Sequence, residues 1–568
     1  MLLPRWQNAA QKSSPDLMKT YRWVILGVIG CLLVAALSYF WANGMMASLN
    51  DFRSPLAENP PAPGEALGEA LTDHVVLVLI DALRYDTSLK PDVMPYLNEL
   101  RQRGASATMH SRTPSYSAPG YSVLMTGAWP DLSDGPAMNP EDGLPRTWTQ
   151  DNVFSSVHRA GMKTAVSGYF WFEGLIPQRE VDASFYTEGE DHSADRDVID
   201  AALPWLESKD YQFILLHIDQ VDYAGHHEGG AQSPNWEAAA SRADDFVREI
   251  ASYLDLERDT LIVLSDHGQI DQGGHGGQDP VVLVEPFIAA GAGVKAGKYP
   301  DMQMVDVAPT ITTLLGANIP ATSQGRALTE MLSISPEQVA QLNQAYTSQQ
   351  VQLAHRYLAA INQPDVLRAD DITASQGAMQ AAKMDRLSRE RLPRMAIAFV
   401  LVLIPAYVLF LKRGRTLLWL LGSALAYLLI FNLRYAIFDG RTYSLSSVAS
   451  ADDIIGYTAI TAMIAFGLVW LGAMLGLRAF KEKPLRAAES SFALTFVTLY
   501  LVSLPALWSF ALNGALVTWT IPDFGSMFLG FLSILQALFI AAAGLVLAGI
   551  SALVAKWGPM REKAKING

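Results

Sequence analysis

Long apolar runs at both ends of the chain enclose a central stretch of mixed polarity. The first run lies at about Trp23 to Phe40, and from Met395 onward most of the sequence consists of runs long enough to span a membrane. We count five such runs in this second region, near residues 395–411, 416–434, 455–477, 491–512 and 526–554. Together with the N-terminal run they predict an all-α bundle of six transmembrane helices.

Between the apolar ends, short apolar runs alternate with longer helical patterns from Val75 to about Leu332. The strand candidates include VVLVLI at 75–80, FILLHI at 213–218 and LIVLS at 261–265. This alternation predicts an α/β domain built on a doubly wound, mostly parallel sheet. Further along, Ser335 and Gln338 form the capping box of an amphipathic helix that extends to about residue 362.

These patterns divide the 568-residue chain into five parts. We expect, in order, a cytoplasmic N-terminus with a transmembrane anchor (1–45), a Pro- and Gly-rich linker (46–71), the α/β domain (72–334), a helical return segment (335–394) and a five-helix transmembrane region with a cytoplasmic tail (395–568).

Charge along the membrane region predicts its orientation. The connectors KRGR at 412–415 and RAFKEKPLR at 478–486 are basic, as is the tail from Lys556, whereas the loops holding Asp439 and Asp523 are not. Basic loops stay in the cytoplasm, so both termini are expected there and the α/β domain outside. A basic cluster from Lys383 to Arg394 contradicts this pattern, because it precedes the second span on the side predicted to be outside. It could interact with the lipid headgroups around the span, or it could bind an anionic lipid or a substrate phosphate.

The net charge of −14 argues against a nucleic-acid partner, because phosphate backbones are bound by basic surfaces. An acidic balance instead suits the binding of cations. The single cysteine, Cys31, lies inside the first apolar run, so neither disulfides nor a thiolate metal site is expected. Any metal must therefore be held by histidines and carboxylates.

Acidic residues and histidines follow three of the strand candidates, where ligands of open α/β sheets bind. One such Asp could simply cap the next helix, but several together with histidines indicate a metal centre. Imidazole and carboxylate are the ligands zinc takes when thiolates are absent. Two such sites could be formed by Asp81, Asp222, His226, Asp266, His267 and His275, the last lying in a glycine-rich loop.

Two metals about 3.5–4 Å apart would hold both the attacking and the leaving oxygen of a phosphoryl displacement. A nucleophile is then needed, and TPSYSAPGYSVLMTG at 113–127 is rich in hydroxyls. A serine beside a cation becomes nucleophilic at neutral pH because its pKa falls. By spacing alone the candidates are Thr113, Ser115, Ser117 and Ser122, most of which could equally be caps or turn formers.

Four motifs carry a specific resemblance. VVLVLIDALRYD, SAPGYSVLMTG, VDYAGHHEGG and SDHGQIDQGGHGG, in this order, resemble the metal-ligand motifs of the alkaline phosphatase superfamily. The closest branches are the type I phosphodiesterases/nucleotide pyrophosphatases and the membrane-bound ethanolamine-phosphate transferases. The resemblance covers about residues 72–332 and implies an alkaline-phosphatase-like fold for the α/β domain.

By position, the resemblance implies that Ser117, ten residues before Gly127, is the nucleophile. It further implies two divalent metal ions, zinc or alternatively manganese. One would be bound by Asp81, Ser117, Asp266 and His267, and the other by Asp222, His226 and His275. Sulfatases of this superfamily carry an Arg where Tyr121 stands, so sulfate ester hydrolysis is disfavoured.

The expected function is that of a membrane-anchored, two-metal phosphoester hydrolase or phosphotransferase that uses a serine nucleophile. It would act on a phosphodiester or transfer a phospho-alcohol group such as phosphoethanolamine to an envelope lipid or glycan. The partners would be a phosphorylated substrate, with a lipid-linked one favoured because six spans exceed what anchoring requires, and membrane lipids. No N-x-Ser/Thr sequon occurs, so a bacterial plasma membrane is the expected location.

Two alternatives remain open at this stage. One is an outward-facing phosphodiesterase, nucleotide pyrophosphatase or phosphatase for soluble substrates, with the bundle as a mere anchor. The other, from a different class, is a receptor or transporter that only binds phosphorylated ligands, although the spans carry few ionisable residues.

Overall fold

A computed structural model of the chain describes residues 15–363, 372–411 and 414–566. Lys412 and Arg413, which belong to the first basic connector, lie outside the described ranges. The strands, numbered in chain order, are β1 (His74–Ile80), β2 (Ala105–His110), β3 (Thr164–Tyr169), β4 (Ala183–Thr187), β5 (Phe213–Ile218), β6 (Asp259–Leu264), β7 (Val284–Gly291), β8 (Gly297–Lys298) and β9 (Met302–Gln303).

The helices alternate with the strands and then continue alone to the C-terminus. They are α1 (Pro15–Asn50), α2 (Tyr85–Ser88), α3 (Pro95–Arg103), α4 (Ser117–Thr126), α5 (Pro130–Ser133), α6 (Val153–Arg159), α7 (Trp171–Leu175), α8 (His192–Ser208), α9 (Gln220–His227), α10 (Pro234–Ser252), α11 (Val307–Leu314), α12 (Pro336–Ala360), α13 (Ile372–Leu411), α14 (Arg415–Asn432), α15 (Ala451–Gly476), α16 (Pro484–Val502), α17 (Leu504–Asn513) and α18 (Phe524–Ile566).

The sheet places β1 at the centre of the α/β domain. In the described ranges nine strands form one sheet, in the order β4-β3-β5-β1-β6-β7-β2-β8 with β9 beside β2. The strands from β4 to β6 are parallel, and β7 is antiparallel to both of its neighbours. The prediction of an α/β domain with a mostly parallel sheet is confirmed, and the sheet is mixed at one side.

Burial on both faces explains why the strands read as unbroken apolar runs. In β1, Val75, Leu77 and Leu79 pack into one core, whereas Val76, Val78 and Ile80 pack into a second core on the opposite face. Helices cover each face, so neither set of alternating side chains reaches water. Because β5 and β6 flank β1 in parallel, the residues that follow these three strands meet at one edge of the sheet.

Within the described residues, six helices are long and apolar enough to cross a membrane, so the chain is a multi-pass membrane protein by length and composition. They are Tyr21–Asn50, Ile372–Leu411, Arg415–Phe438, Ala451–Gly476, Pro484–Asn513 and Phe524–Trp557. The fifth of these consists of two helices, α16 and α17, which meet at Ser503.

Helix α13 joins the return segment to the second span without a break. Its 40 residues correspond to about 60 Å at 1.5 Å per residue, roughly twice the hydrocarbon thickness of a bilayer. The part before the span packs against α12, with Leu353, Tyr357 and Met379 in a core that also includes Leu132 of the α/β domain. The expected boundary at residue 394 therefore falls inside one helix.

The irregular segment after α1 is bound to the α/β domain through Asp134. This carboxylate is fully buried and accepts hydrogen bonds from Arg53 Nη2 at 2.8 Å and from the Ser54 amide at 2.9 Å. Thr149 donates a third hydrogen bond at 2.7 Å. Since Asp134 gathers donors from both segments, it fixes where the first span leaves the domain.

Replacing Asp134 with alanine should destabilise the chain by about 1–3 kcal/mol, because the Ser54 amide and the Arg53 guanidinium lose their acceptor. The measurement is denaturant unfolding of the full chain in detergent, followed by tryptophan fluorescence. Asp142→Ala, at an exposed position in the following loop, is the matched control and should change little. Equal stability of the two variants would contradict the anchoring role of Asp134.

Candidate metal centre and active site

The candidate site residues gather at the carboxyl edge of the parallel strands. Asp81 directly follows β1, Asp266 and His267 follow β6, and α9 after β5 carries Asp222 and His226. Ser117 is the first residue of α4, and His275 lies in the glycine-rich loop after β6. The structure thus brings all seven residues that the sequence nominated to one place.

The first group of ligands surrounds the Nε2 atom of His267. Three side-chain oxygens approach it, from Ser117 at 3.2 Å and from Asp81 and Asp266 at 3.4 Å each. Both carboxylates and the imidazole are essentially inaccessible to solvent. One nitrogen and three oxygens therefore converge on a small buried volume.

The second group joins Asp222 with His226 and His275. The two Nε2 atoms lie 2.9 Å apart, and the Asp222 carboxylate lies 3.4 Å from His226 and 3.5 Å from His275. Asp222 and His226 are four residues apart on α9 and so share one face of the helix. The group is continuous with the first one, because the rings of His267 and His275 stack with centroids 4.0 Å apart.

The residues fit bound cations. Asp81 Oδ1 and Asp266 Oδ2 are buried oxygens without a hydrogen-bond donor in the described part of the chain. Burial, followed by repulsion from Asp81, raises the pKa of Asp266 well above its usual range. A buried pair of carboxylates is stable when a positive charge compensates it, and the nitrogen and oxygen donors present suit a divalent metal.

Two members of the second group, Asp222 and His275, are biased toward the protonation states that bind metal. Burial opposes the ionisation of Asp222, but His226 and His275 outweigh it, so the pKa of this carboxyl is lowered. Burial, followed by the neighbouring His267, holds the pKa of His275 well below its usual 6.5. Metal binding needs an ionised carboxylate and a neutral imidazole, and the environment favours both.

Several residues outside the nominated set orient the ligands. Tyr121 donates its hydroxyl hydrogen to Asp81 and lies 2.8 Å from His217 Nε2, which is itself 3.0 Å from Asp81. Gln269 donates to Asp222. The role of Gln269 was not predicted from the sequence, because a glutamine two residues after a ligand has no distinguishing pattern.

Asn139 is a second residue that the sequence did not reveal. Its side-chain oxygen accepts a hydrogen bond from the Ala118 amide at 3.0 Å, and its side-chain nitrogen lies 3.5 Å from Ser117 Oγ. It comes from an irregular loop 22 residues after the serine. Asn139 therefore ties the first turn of α4 to the wall of the site.

The loop between α14 and α15 of the membrane bundle holds the glycine-rich loop. Ser446 Oγ accepts from the Gly277 amide at 3.1 Å, and Ser444 Oγ accepts from the Gln278 amide at 3.2 Å. A Cβ atom on Gly277 would lie 1.7 Å from Ser444 Oγ, so only glycine fits there. Because His275 is two residues away, we call this contact the serine clamp of the metal-ligand loop.

The mixed sheet, with carboxylates and imidazoles clustered at the carboxyl ends of its parallel strands, defines the class as an α/β enzyme domain. The family model for type I phosphodiesterase / nucleotide pyrophosphatase matches residues 75–372. The chain belongs to this family.

Named relatives are ethanolamine phosphate transferases. GPI ethanolamine phosphate transferase 2 of Eremothecium gossypii is 26% identical over 386 residues, covering 63% of this chain and 47% of the relative. The catalytic subunit of GPI ethanolamine phosphate transferase 3 of Mus musculus is 25% identical and covers 48% of this chain and 27% of the relative. The chain thus spans less than half the length of these two relatives.

Among solved structures, human ectonucleotide pyrophosphatase / phosphodiesterase 5 matches with a TM-score of 0.37 at 15% identity, over 46% of this chain and 100% of that one. A protein of the alkaline phosphatase superfamily from Vibrio parahaemolyticus matches with a TM-score of 0.35 at 16% identity, over 49% of this chain and 74% of that one.

Removing the serine clamp should loosen the metal site without unfolding the chain. In the double variant Ser444→Ala and Ser446→Ala, the affinity for zinc at the group containing His275 is expected to fall by about tenfold, as with other contacts that orient metal ligands. The measurement is a competition titration with a chromophoric chelator. Ser450→Ala is the control, since Ser450 caps α15 and lies in the same loop. An unchanged affinity in the double variant would show that the loop holds its shape alone.

The lowered pKa of His275 predicts how the metal-free chain responds to acid. The folded state keeps His275 neutral while the unfolded state gains a proton near pH 6.5, so stability is present above that pH and declines below it. The decline attributable to this group is at most about 1.4 kcal/mol per pH unit. In EDTA, the free energy of unfolding should therefore fall more steeply between pH 7.5 and 5.5 for the wild type than for His275→Gln. His158→Gln, at an exposed position, is the control, and equal slopes for all three proteins would refute the buried neutral imidazole.

Proposed function

We propose that this chain is a membrane-bound, metal-dependent enzyme that transfers a phospho-alcohol group, of the phosphoethanolamine type, through the nucleophile Ser117 to a lipid-linked glycan or lipid. The observation that carries the proposal is the position of Ser117. Ser117 is the first residue of the buried helix α4, and its hydroxyl lies in the first ligand group, 3.2 Å from His267 Nε2.

The two ligand groups would hold two divalent cations. Asp81, Asp266 and His267, with the hydroxyl of Ser117, would bind one, while Asp222, His226 and His275 would bind the other. Zinc is proposed because three imidazoles are present, with manganese as the alternative. When bound, such ions supply positive charge that lowers the pKa of a hydroxyl and stabilises a phosphoryl group under attack.

The chain's own residues contribute position and electrostatics. Ser117 Oγ would attack phosphorus and displace the alcohol of the donor, and an acceptor hydroxyl would then displace the serine. Both steps place negative charge at the N-terminus of α4, where the helix dipole favours anions. Asn139 fixes that turn through the Ala118 amide.

Contact between the site and the membrane bundle supports a lipid-linked substrate. Tyr116, next to the nucleophile, packs against the apolar cluster of the membrane helices, and its ring meets His275 edge to face at 5.4 Å. The names of the relatives point to phosphoethanolamine as the transferred group. We further propose that the domain faces the extracytoplasmic side of a bacterial plasma membrane, with both termini in the cytoplasm, on the charge of the connectors.

Hydrolysis of soluble phosphodiesters is the second candidate, favoured by the description of the family as phosphodiesterases and nucleotide pyrophosphatases. It requires the same nucleophile and the same cations, and differs in that water resolves the intermediate. A variant of the nucleophile therefore cannot distinguish the two candidate functions, whereas the identity of the acceptor can.

Replacing Ser117 with alanine should abolish turnover of bis-p-nitrophenyl phosphate by the zinc-loaded chain, by at least about a thousandfold, because the attacking oxygen is gone. The remaining six ligands should still retain zinc, which elemental analysis can count. Ser122→Ala is the matched control, because Ser122 Oγ bonds the Ala118 carbonyl and the Trp148 indole and faces away from the ligands.

Activity in Ser117→Ala equal to that of Ser122→Ala would refute the nucleophile. To separate the two candidates, the chain in nanodiscs is given radiolabelled phosphatidylethanolamine with and without a glycosylated lipid acceptor. Label in the acceptor supports transfer, whereas release of soluble phosphoethanolamine regardless of acceptor supports hydrolysis.

A further inference from the structure

A pocket lies between α13 and the segment 514–523 that connects α17 to α18, outside the metal centre. Its lining combines guanidinium, carboxylate and apolar groups, and we call it the headgroup pocket: Arg391, Arg394, Glu390, Trp519, Asp523 and Leu516. It also includes Met45, near the end of α1, so it sits where three membrane helices and the return segment meet.

Three members of the basic cluster have carboxylate partners. Lys383 pairs with Asp131 at 2.7 Å, Arg389 with Asp385 at 2.6 Å, and Arg386 with Glu390 at 3.0 Å. Lys383, which also lines the pocket, and Arg389 are therefore accounted for by ion pairs of their own.

Within the described residues, neither Arg391 nor Arg394 has a carboxylate partner to itself. In the residues that the structure covers, Arg391 has no carboxylate partner and donates through Nε to the Leu512 carbonyl at 3.0 Å. Arg394 shares Glu390, already bonded to Arg386, at 3.0 Å. Among the described residues around this pocket, three guanidinium groups (Arg386, Arg391 and Arg394) face two carboxylates (Glu390 and Asp523), which leaves one positive charge in excess.

Both guanidinium groups are held in place from the α17 side. A Cβ on Gly514 would lie 3.1 Å from the Arg394 Cζ, so the backbone turns tightly beneath this side chain. The nearby carboxylate of Asp523 caps α18 by accepting from the Ser526 amide at 2.9 Å. Two adjacent, positioned guanidinium groups form a recognition surface for a phosphate group.

The surroundings favour a lipid over a soluble anion. The pocket lies at the ends of apolar helices, where the phosphates of a bilayer lie, and Trp519 within it is typical of that interface. The Trp519 indole donates to Glu390 at 2.9 Å, while the Arg386 guanidinium lies 4.2 Å from its ring centre. Apolar side chains such as Leu516 and Met45 can contact acyl chains beside the charged end.

The pocket also approaches the catalytic centre. A Cβ on Gly525, in the first turn of α18, would lie 3.5 Å from Gln278 Nε2, and Gln278 belongs to the loop held by the serine clamp. We propose that the headgroup pocket binds the phosphodiester headgroup of a membrane phospholipid. This deepens the proposed function, on which its link to catalysis rests, although headgroup binding itself needs no catalysis.

The test measures binding of dioctanoyl phosphatidylethanolamine to the delipidated full chain in detergent by native mass spectrometry. Metal-free protein is included to remove any contribution of the metal centre. Arg391→Gln and Arg394→Gln should each weaken binding by about tenfold, the size expected for losing a hydrogen bond to a charged group. Arg389→Gln is the matched control, since Arg389 is exposed and lies on the same helix with its own partner.

Each alternative result overturns the inference. Unchanged binding in both pocket variants, or equal binding of dioctanoylglycerol, would show that no phosphate is recognised there. Equal competition by inorganic phosphate would replace the lipid with a free anion. Thermal unfolding of each variant checks that a loss of binding is not a loss of fold.

Failure of this inference is distinguishable from failure of the proposed function. Ser117→Ala should lose turnover and keep phospholipid binding. If Ser117→Ala stays active while Arg391→Gln loses the lipid, the headgroup pocket stands and the nucleophile falls. If Ser117→Ala is inactive and Arg391→Gln binds lipid normally, the nucleophile is supported and the headgroup pocket is refuted.

Discussion

Repulsion among buried carboxylates is the constraint on which the site depends. Asp81, Asp222 and Asp266 converge with Asp219, the residue that directly follows β5, at the carboxyl edge of β1, β5 and β6, where the sheet and its helices limit the access of water. Burial, together with the charge of Asp81 and Asp222, raises the pKa of Asp219 well above its usual range. Such a concentration of acid is tolerated only when imidazoles, hydrogen-bond donors and cations share the space. The positions of His226, His267, His275 and the Tyr121 hydroxyl follow from that need.

The membrane bundle takes part in the same arrangement. Two glycines of the loop bearing His275, Gly274 and Gly277, are required because Ser446 and Ser444 approach the backbone there too closely for a side chain. The same two serines, which lie between two spans, accept hydrogen bonds from the Gly277 and Gln278 amides. Tyr116 packs on the same bundle from the nucleophile side. The site is therefore built where the α/β domain and the membrane region meet, and separating the two would expose the Gly277 and Gln278 amides to water and release the loop that bears His275.

Much of this architecture could be predicted from the sequence. Buried strands such as Phe213–Ile218 stand out because both faces are apolar, and spans stand out because lipid demands uninterrupted apolar length. The acids and histidines at strand ends were recognised because topology forces them together. The roles of Gln269, Asn139 and the serine clamp were not, since each depends on contacts between segments whose spacing carries no period. The continuity of α13 is also not evident from the sequence, because its first half is polar and its second half is apolar.

That continuity sets the geometry of the whole molecule. Helix α13 runs unbroken from the return segment into the second span, so the orientation of the return segment is coupled to that of the span. One residue added between them would shift the return segment by about 1.5 Å and rotate it by roughly 100° about the helix axis, against the contacts made by Asp134 and the serine clamp. Together with those contacts, the length of α13 constrains the distance between the second span and Ser117, and with it the size of headgroup that can reach the serine.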